Sequence, residues 1–125
     1  MSEIKFTEDH AWVRLEDNGT ATIGITDYAQ EQLGDIVFVE FPPVDKELGK
    51  EDEAAIIESV KTAGEVKMPI SGTVIETNDN LQDEPEIINA DPEGDGWLMI
   101  VNIINPDEID MLMDDSAYNE FLNGL

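Results

Sequence analysis

Six basic side chains stand against thirty acidic ones in this 125-residue chain, and one of the six, Lys61, sits where an amine could serve chemistry. It follows the apolar run Ala54-Ala55-Ile56-Ile57-Glu58-Ser59-Val60 and precedes the small residues Thr62-Ala63-Gly64. Pro69 lies eight residues further on and Gly72 eleven. A lysine becomes a nucleophile when its amine is deprotonated and accessible. To meet an activated acyl group in a modifying enzyme, it must stand clear of the body of the domain. A tight turn between two paired strands does this, because the turn projects the side chain while the sheet holds its position. Small neighbours such as Ala63 and Gly64 leave room for the enzyme. By itself the lysine is weak evidence, since short motifs match often by chance. Lys5, Arg14, Lys46 and Lys50 lie in polar or half-exposed contexts and read as surface charges, and Lys67 as a strand lysine among acids.

Other chemistries fit poorly. With no cysteine, disulfides, thiolate zinc sites and cysteine nucleophiles are excluded. The sole histidine, His10, has no nucleophile motif beside it and reads as structural, packing near Trp12, while Ser59 lacks a glycine-flanked elbow. Asp91, Glu93, Asp95 and Gly96 approximate the first half of a calcium loop, but Asn102 occupies the closing position that wants a bidentate Glu. Nothing in the spacing of the many carboxylates selects a glycosidase pair. The net charge of −24 argues against nucleic acids and anionic membranes as partners, since both require a cationic patch. It reads as a solubilising shell, or as adaptation to high salt, where self-repulsion is screened. No apolar run reaches membrane-span length. Met1-Ser2-Glu3-Ile4-Lys5 has no signal or transit character, so the expected compartment is the cytoplasm.

The elements that would position Lys61 read as short strands with a few helices. Ala11–Leu15 and Thr20–Ile25 form a predicted hairpin around Glu16-Asp17-Asn18-Gly19. Thr26 is a predicted N-cap for a helix over Asp27–Leu33 that stops at Gly34. Ile36–Phe41 is apolar on both faces and predicts a buried strand ended by Pro42-Pro43. After the polar stretch Asp45–Glu53, Ala54–Val60 is a second buried strand. Lys61–Gly64 is the turn, and Glu65–Met68 the returning strand. Pro69–Gly72 bends the chain into a strand over Thr73–Thr77. Asn78–Gly96, acidic and containing Pro85 and Pro92, reads as mostly loop, and Trp97–Ile104 as the longest strand. Helices are predicted over about 106–122. Asn105-Pro106-Asp107-Glu108 is a helix start, with Ile109, Leu112 and Met113 on one face, and Tyr118, Phe121 and Leu122 on that of a last helix. The expectation is one mainly β domain over 1–125.

At the hairpin the pattern becomes specific. Glu58-Ser59-Val60-Lys61-Thr62-Ala63-Gly64-Glu65, followed by Pro69-Ile70-Ser71-Gly72, resembles the lipoylation hairpin of the glycine cleavage system H proteins. Asp9-His10-Ala11-Trp12-Val13, Ala21 to Gln30, Leu33 to Val39, Gly96-Trp97-Leu98 and Pro106-Asp107-Glu108 match the family in order and spacing, so the resemblance spans nearly the whole chain.

The resemblance implies a barrel-sandwich hybrid fold, two small sheets face to face with the lysine hairpin at one end and short peripheral and C-terminal helices. It implies lipoate attached covalently to Lys61, with Glu58, Ser59, Val60, Ala63, Gly64, Glu65 and Gly72 as recognition flanks, and a monomeric carrier rather than an enzyme. The implied partners are a pyridoxal-phosphate glycine decarboxylase that loads the aminomethyl group of glycine, a folate-dependent aminomethyltransferase that removes it, and a dihydrolipoamide dehydrogenase that reoxidises the carrier. A lipoate ligase or a lipoyl/octanoyl transferase would install the arm. The chain departs from the family where Ala11 stands in place of the usual Glu, with Asp9 or Glu8 as substitute carboxylates, and where Gln32 and Glu65 replace a common His and Asp. The nearest rival is a biotinyl carrier, which would have Met on both sides of the lysine, where this chain has Val60 and Thr62. A lipoyl donor of the same family is a further alternative. A 2-oxo-acid dehydrogenase lipoyl domain would carry Asp before it.

Overall fold

The computed structural model describes residues 3–16 and 18–124. The hairpin at the start forms as its alternation predicts: β2 (Ala11–Leu15) and β3 (Thr20–Ile25) are antiparallel, with β1 (Glu3–Phe6) on the outer side of β2. Gly19 takes φ +82° in the turn, a conformation cheap only for glycine. Asp17, also expected in this turn, lies outside the described residues. Helix α1 (Asp27–Leu33) starts at Thr26, whose Oγ1 accepts from the Ala29 N–H at 3.2 Å. It stops at Gly34 with φ +83°, whose N–H donates to Gln30 O.

The strands divide into two antiparallel sheets. The larger runs β1-β2-β3-β9-β8-β5, where β5 is Glu47–Leu48, β8 Gly72–Thr77 and β9 Met99–Ile103; the smaller runs β4-β6-β7, with β4 over Ile36–Glu40, β6 over Glu53–Ser59 and β7 over Ala63–Lys67. Alternating inward residues of both sheets meet in one core. Val13, Ile23, Val74 and Val101 from the larger pack with Ile36, Val39, Ile57 and Val66 from the smaller. A satellite cluster of Phe6, Trp12 and Tyr118 sits beneath α4 (Asp115–Asn123), and the Phe6 and Tyr118 rings stack at 4.6 Å.

Several expectations need correction. β4 is not buried on both faces: Val37 is 53% and Phe38 41% exposed. β4 is an edge of the small sheet, so only its inward residues Ile36 and Val39 reach the core. The acidic stretch 78–96 is not mostly loop. It contains two one-turn helices, α2 (Asn80–Asp83) and α3 (Ile87–Ala90), each burying one apolar residue, Leu81 and Ile88. Asn78 is buried there too, satisfied by donating Nδ2 to the carbonyls of Asp95 and Trp97. Trp97–Ile104 is not the longest strand, since β9 has five residues and β6 seven. Trp97 and Leu98 are instead drawn into the junction with Asn78 and β3. The helix after Asn105 is a 3-10 helix over Pro106–Met111, capped by Asn105 Oδ1. Met113 lies beyond it and exchanges backbone hydrogen bonds with Phe6.

Candidate functional site

Lys61 stands at the tip of the β6–β7 hairpin, whose turn falls one to two residues earlier in the chain than the predicted Lys61–Gly64. Glu58 pairs with Ala63 and Ile57 with Gly64, so Ala63 and Gly64 already belong to β7, and the Ser59 N–H donates to Thr62 O at 2.8 Å. Val60, Lys61 and Thr62 thus lie between the strands, and the Ser59–Thr62 hydrogen bond closes the turn around Val60 and Lys61. The Ser59 hydroxyl holds this turn shut: Oγ donates to Thr62 O at 3.1 Å and accepts from the N–H groups of Lys61 and Thr62 at 3.4 and 3.2 Å. Val60 donates its N–H to Asp35 O at 3.0 Å, tying the tip to the corner between α1 and β4.

The Lys61 side chain is exposed, yet its aliphatic stem leans on that corner. A Cβ added to Gly34 would lie 3.2 Å from Lys61 Cε. Gly64 is equally close to α1, where an added Cβ would come within 3.1 Å of Leu33 Cδ2. These two glycines let helix and hairpin approach. An amine on a rigid two-residue turn, solvated at its end and supported along its stem, fits acylation well.

The remaining flanks divide. Glu58, Val60, Ala63 and Glu65 are exposed around the tip, and Val60, 69% exposed, presents bare apolar surface beside Lys61. Gly72 is not part of this surface. It is buried at the start of β8 in the other sheet, where an added Cβ would lie 2.7 Å from Val101 Cγ2, so its need is close packing.

Beside the hairpin runs a mostly apolar cleft of about 180 Å³. Ala29 and Leu33 of α1 form one wall, Ile57, Gly64 and Val66 the other, and Asp9, His10 and Ala11 one end, with Gln32, Glu65 and Lys67 contributing polar groups. Asp9, rather than Glu8, thus supplies a carboxylate near Ala11; Glu8 lines a separate groove. His10 is structural, with φ +66° and its ring 4.5 Å from Tyr28. Its Nδ1 and Thr26 Oγ1 each lie 2.8 Å from the Tyr118 hydroxyl. The ring reaches the cluster that holds Trp12 through Tyr118 and Phe121. Burial lowers the pKa of His10, opposed by Asp9. Burial also raises that of Tyr118, opposed by its hydrogen bond to Thr26. Trp12 itself is fully buried, with Nε1 donating to Pro92 O at 3.0 Å.

Two contributors were missed from the sequence. Tyr118 was assigned only to a helix face, and its hydroxyl partners lie 92 and 108 residues away. Asn89, inside the supposed loop, bonds to three groups around the Gly34 corner, and no local pattern marks it. In the acidic stretch, Asp91 Oδ2 accepts from the Asp95 N–H at 2.9 Å, so this carboxylate closes a turn. Among the described residues no three His, Asp or Glu side chains are grouped to hold a metal ion, and no helix is long and apolar enough to cross a membrane.

Two antiparallel sheets around one core, with a lysine-tipped hairpin at the edge of the smaller, define a barrel-sandwich carrier domain. The family model for the glycine cleavage H-protein matches residues 4–124. Glycine cleavage system H proteins of Rhodospirillum rubrum and Parvibaculum lavamentivorans are 52% and 53% identical over 125 residues, covering 100% of this chain and 99% of theirs. The crystal structure of a glycine cleavage system H protein from Mycobacterium marinum has a TM-score of 0.87 at 34% identity, covering 98% of each chain. The chain belongs to the glycine cleavage H-protein family, whose members are non-catalytic, lipoyl-bearing carrier subunits.

Proposed function

We propose that Lys61 carries lipoate and that the chain shuttles the aminomethyl group of glycine between the decarboxylase, the aminomethyltransferase and dihydrolipoamide dehydrogenase. The observation that carries the reading is the placement of Lys61: exposed, outside the strand ladder, on a turn held by Ser59 and by the Val60–Asp35 hydrogen bond. Bound lipoate supplies the disulfide that is reduced and regenerated by thiol–disulfide exchange, a chemistry this cysteine-free chain lacks. The chain's own residues attach, present and shelter. The amine forms the amide. Gly34 and Gly64 let α1 close against the hairpin, and the apolar walls of the cleft offer a surface from which water is displaced. The net charge of −24 supports charge-guided, short-lived docking on successive enzymes with basic surfaces.

The test is intact mass of the protein from cells with working lipoyl attachment and supplied lipoate. A single adduct of lipoyl mass is expected on the wild type and none on Lys61→Arg. An unmodified wild type, or an adduct that survives the substitution, refutes the assignment.

A further inference from the structure

Lys61 does not rest on its own hairpin alone. Its stem lies over Gly34, and the neighbouring Val60 N–H donates to Asp35 O. The corner 34–36 is therefore the platform on which the tip is supported. Its geometry is an unusual one, since Gly34 takes φ +83° and ψ −157°, a region open essentially to glycine alone. Such a conformation persists where its surroundings determine it.

Those surroundings come largely from one side chain. Asn89, half-buried in α3, donates Nδ2 to Gly34 O and to Gln30 Oε1, both at 2.9 Å, and its Oδ1 accepts from the Ile36 N–H at 2.9 Å. It thus grips the corner on both sides of Asp35, whose carbonyl takes the Val60 hydrogen bond. An amide is the side chain that can donate to one peptide and accept from the next, which neither Asp nor Leu at this position could do. Three bonds to residues more than fifty positions away exceed what a one-turn helix needs for its own cohesion.

We propose that Asn89 is a positioning residue for the acylation of Lys61. It holds the 34–36 corner, and through it the Val60–Lys61 tip, in the geometry presented to the acylating enzyme. The proposal rests on the reading of Lys61 as the attachment lysine. In the reaction, the Nζ lone pair attacks the acyl carbon of an acyl adenylate. The new C–N bond forms as the C–O bond to AMP breaks, and a proton leaves Nζ for solvent. Asn89 touches none of these atoms. Its effect is through the freedom of the amine's mounting, where small displacements carry large rate costs.

The test compares wild type, Asn89→Ala and Gln82→Ala as full-length unmodified proteins. Gln82 is the control because its Nε2 donates to Val39 O at 2.8 Å, anchoring the other end of β4 away from the tip. Two readouts are taken: kcat/KM for acylation by a lipoate ligase with lipoate and ATP, and amide hydrogen exchange at Val60. The expected result for Asn89→Ala is a fall in kcat/KM on the order of tenfold, together with faster exchange at Val60. Gln82→Ala is expected to change neither, whatever its loss of melting temperature. Should Asn89→Ala fail to fold, Asn89→Asp, which keeps the acceptor for Ile36 but loses both donors, takes the same measurements. Wild-type kinetics and Val60 exchange in the Asn89 variant overturn the proposal, as does an equal slowing in Gln82→Ala. A wild type that is not acylated overturns the proposed function and this inference with it.

Discussion

Replacing Gly34 by alanine tests the platform under Lys61 from the backbone side. Gly34 holds φ +83° and ψ −157°, and a non-glycine residue in that region costs roughly 1–3 kcal/mol. The new methyl would also lie 3.2 Å from Lys61 Cε. That contact is with a flexible stem that can move, so it adds little to the energy and instead displaces the arm. For a chain of this size about 1 kcal/mol corresponds to roughly 3–6 °C of melting temperature, so Gly34→Ala should melt roughly 3–18 °C lower. Gly19→Ala is the matched comparison, because Gly19 also has positive φ (+82°) but nothing within 4 Å of an added Cβ. Both variants should lose stability in thermal melts followed by circular dichroism. Only Gly34→Ala should accelerate amide exchange at Val60, whose partner is the adjacent Asp35 carbonyl. Melting within about 1 °C of wild type would show that the strain is not there. Unchanged Val60 exchange would show that the corner and the tip are uncoupled.

Three further outcomes follow from the packing and charge. Ile88→Ala, in an apparently loop-like acidic segment, removes a fully buried side chain and should cost about 2–5 kcal/mol in urea unfolding; a loss under about 0.5 kcal/mol would mean the segment is not part of the core. His10 is held below its ordinary value of 6.5 by burial, so between the two values the unfolded chain binds more protons and stability rises with pH. The contribution is complete above the unfolded-state value and is lost as pH falls through the folded one. Wild type should therefore lose melting temperature relative to His10→Gln between pH 8 and pH 5.5, and a constant difference would refute this. With a net charge of −24 largely unscreened at low salt, the melting temperature should climb with KCl, and a flat response would remove the case for self-repulsion.

The agreement between pattern and structure is closest where cause and effect lie within a few residues. Thr26 caps α1 three residues ahead, Gly34 ends it, and β2 and β3 keep their predicted bounds because alternation and an Asn-Gly turn act locally. The apolar content of Ile36–Phe41 was plain, but not that β4 would be an edge strand with Val37 and Phe38 left in water. That depends on which strand pairs beside it. The hairpin was recognisable from its residues, but its register was not. Pairing of Glu58 with Ala63 moves the tip to Val60–Lys61 and makes Ser59 the clasp of the turn.

What residue order alone determined, then, is the family, the lysine-bearing hairpin, the capped helix and the first hairpin, since each depends on side-chain type at short spacing. Only the folded chain decided that Gly34 lies under Lys61, that Asp9 rather than Glu8 enters the cleft, and that Asn89 grips the corner beneath the tip. The Gly34–Lys61 and Gly34–Asn89 contacts join residues 27 and 55 positions apart. At such separations no periodicity operates, and proximity exists only once two sheets have closed on a common core.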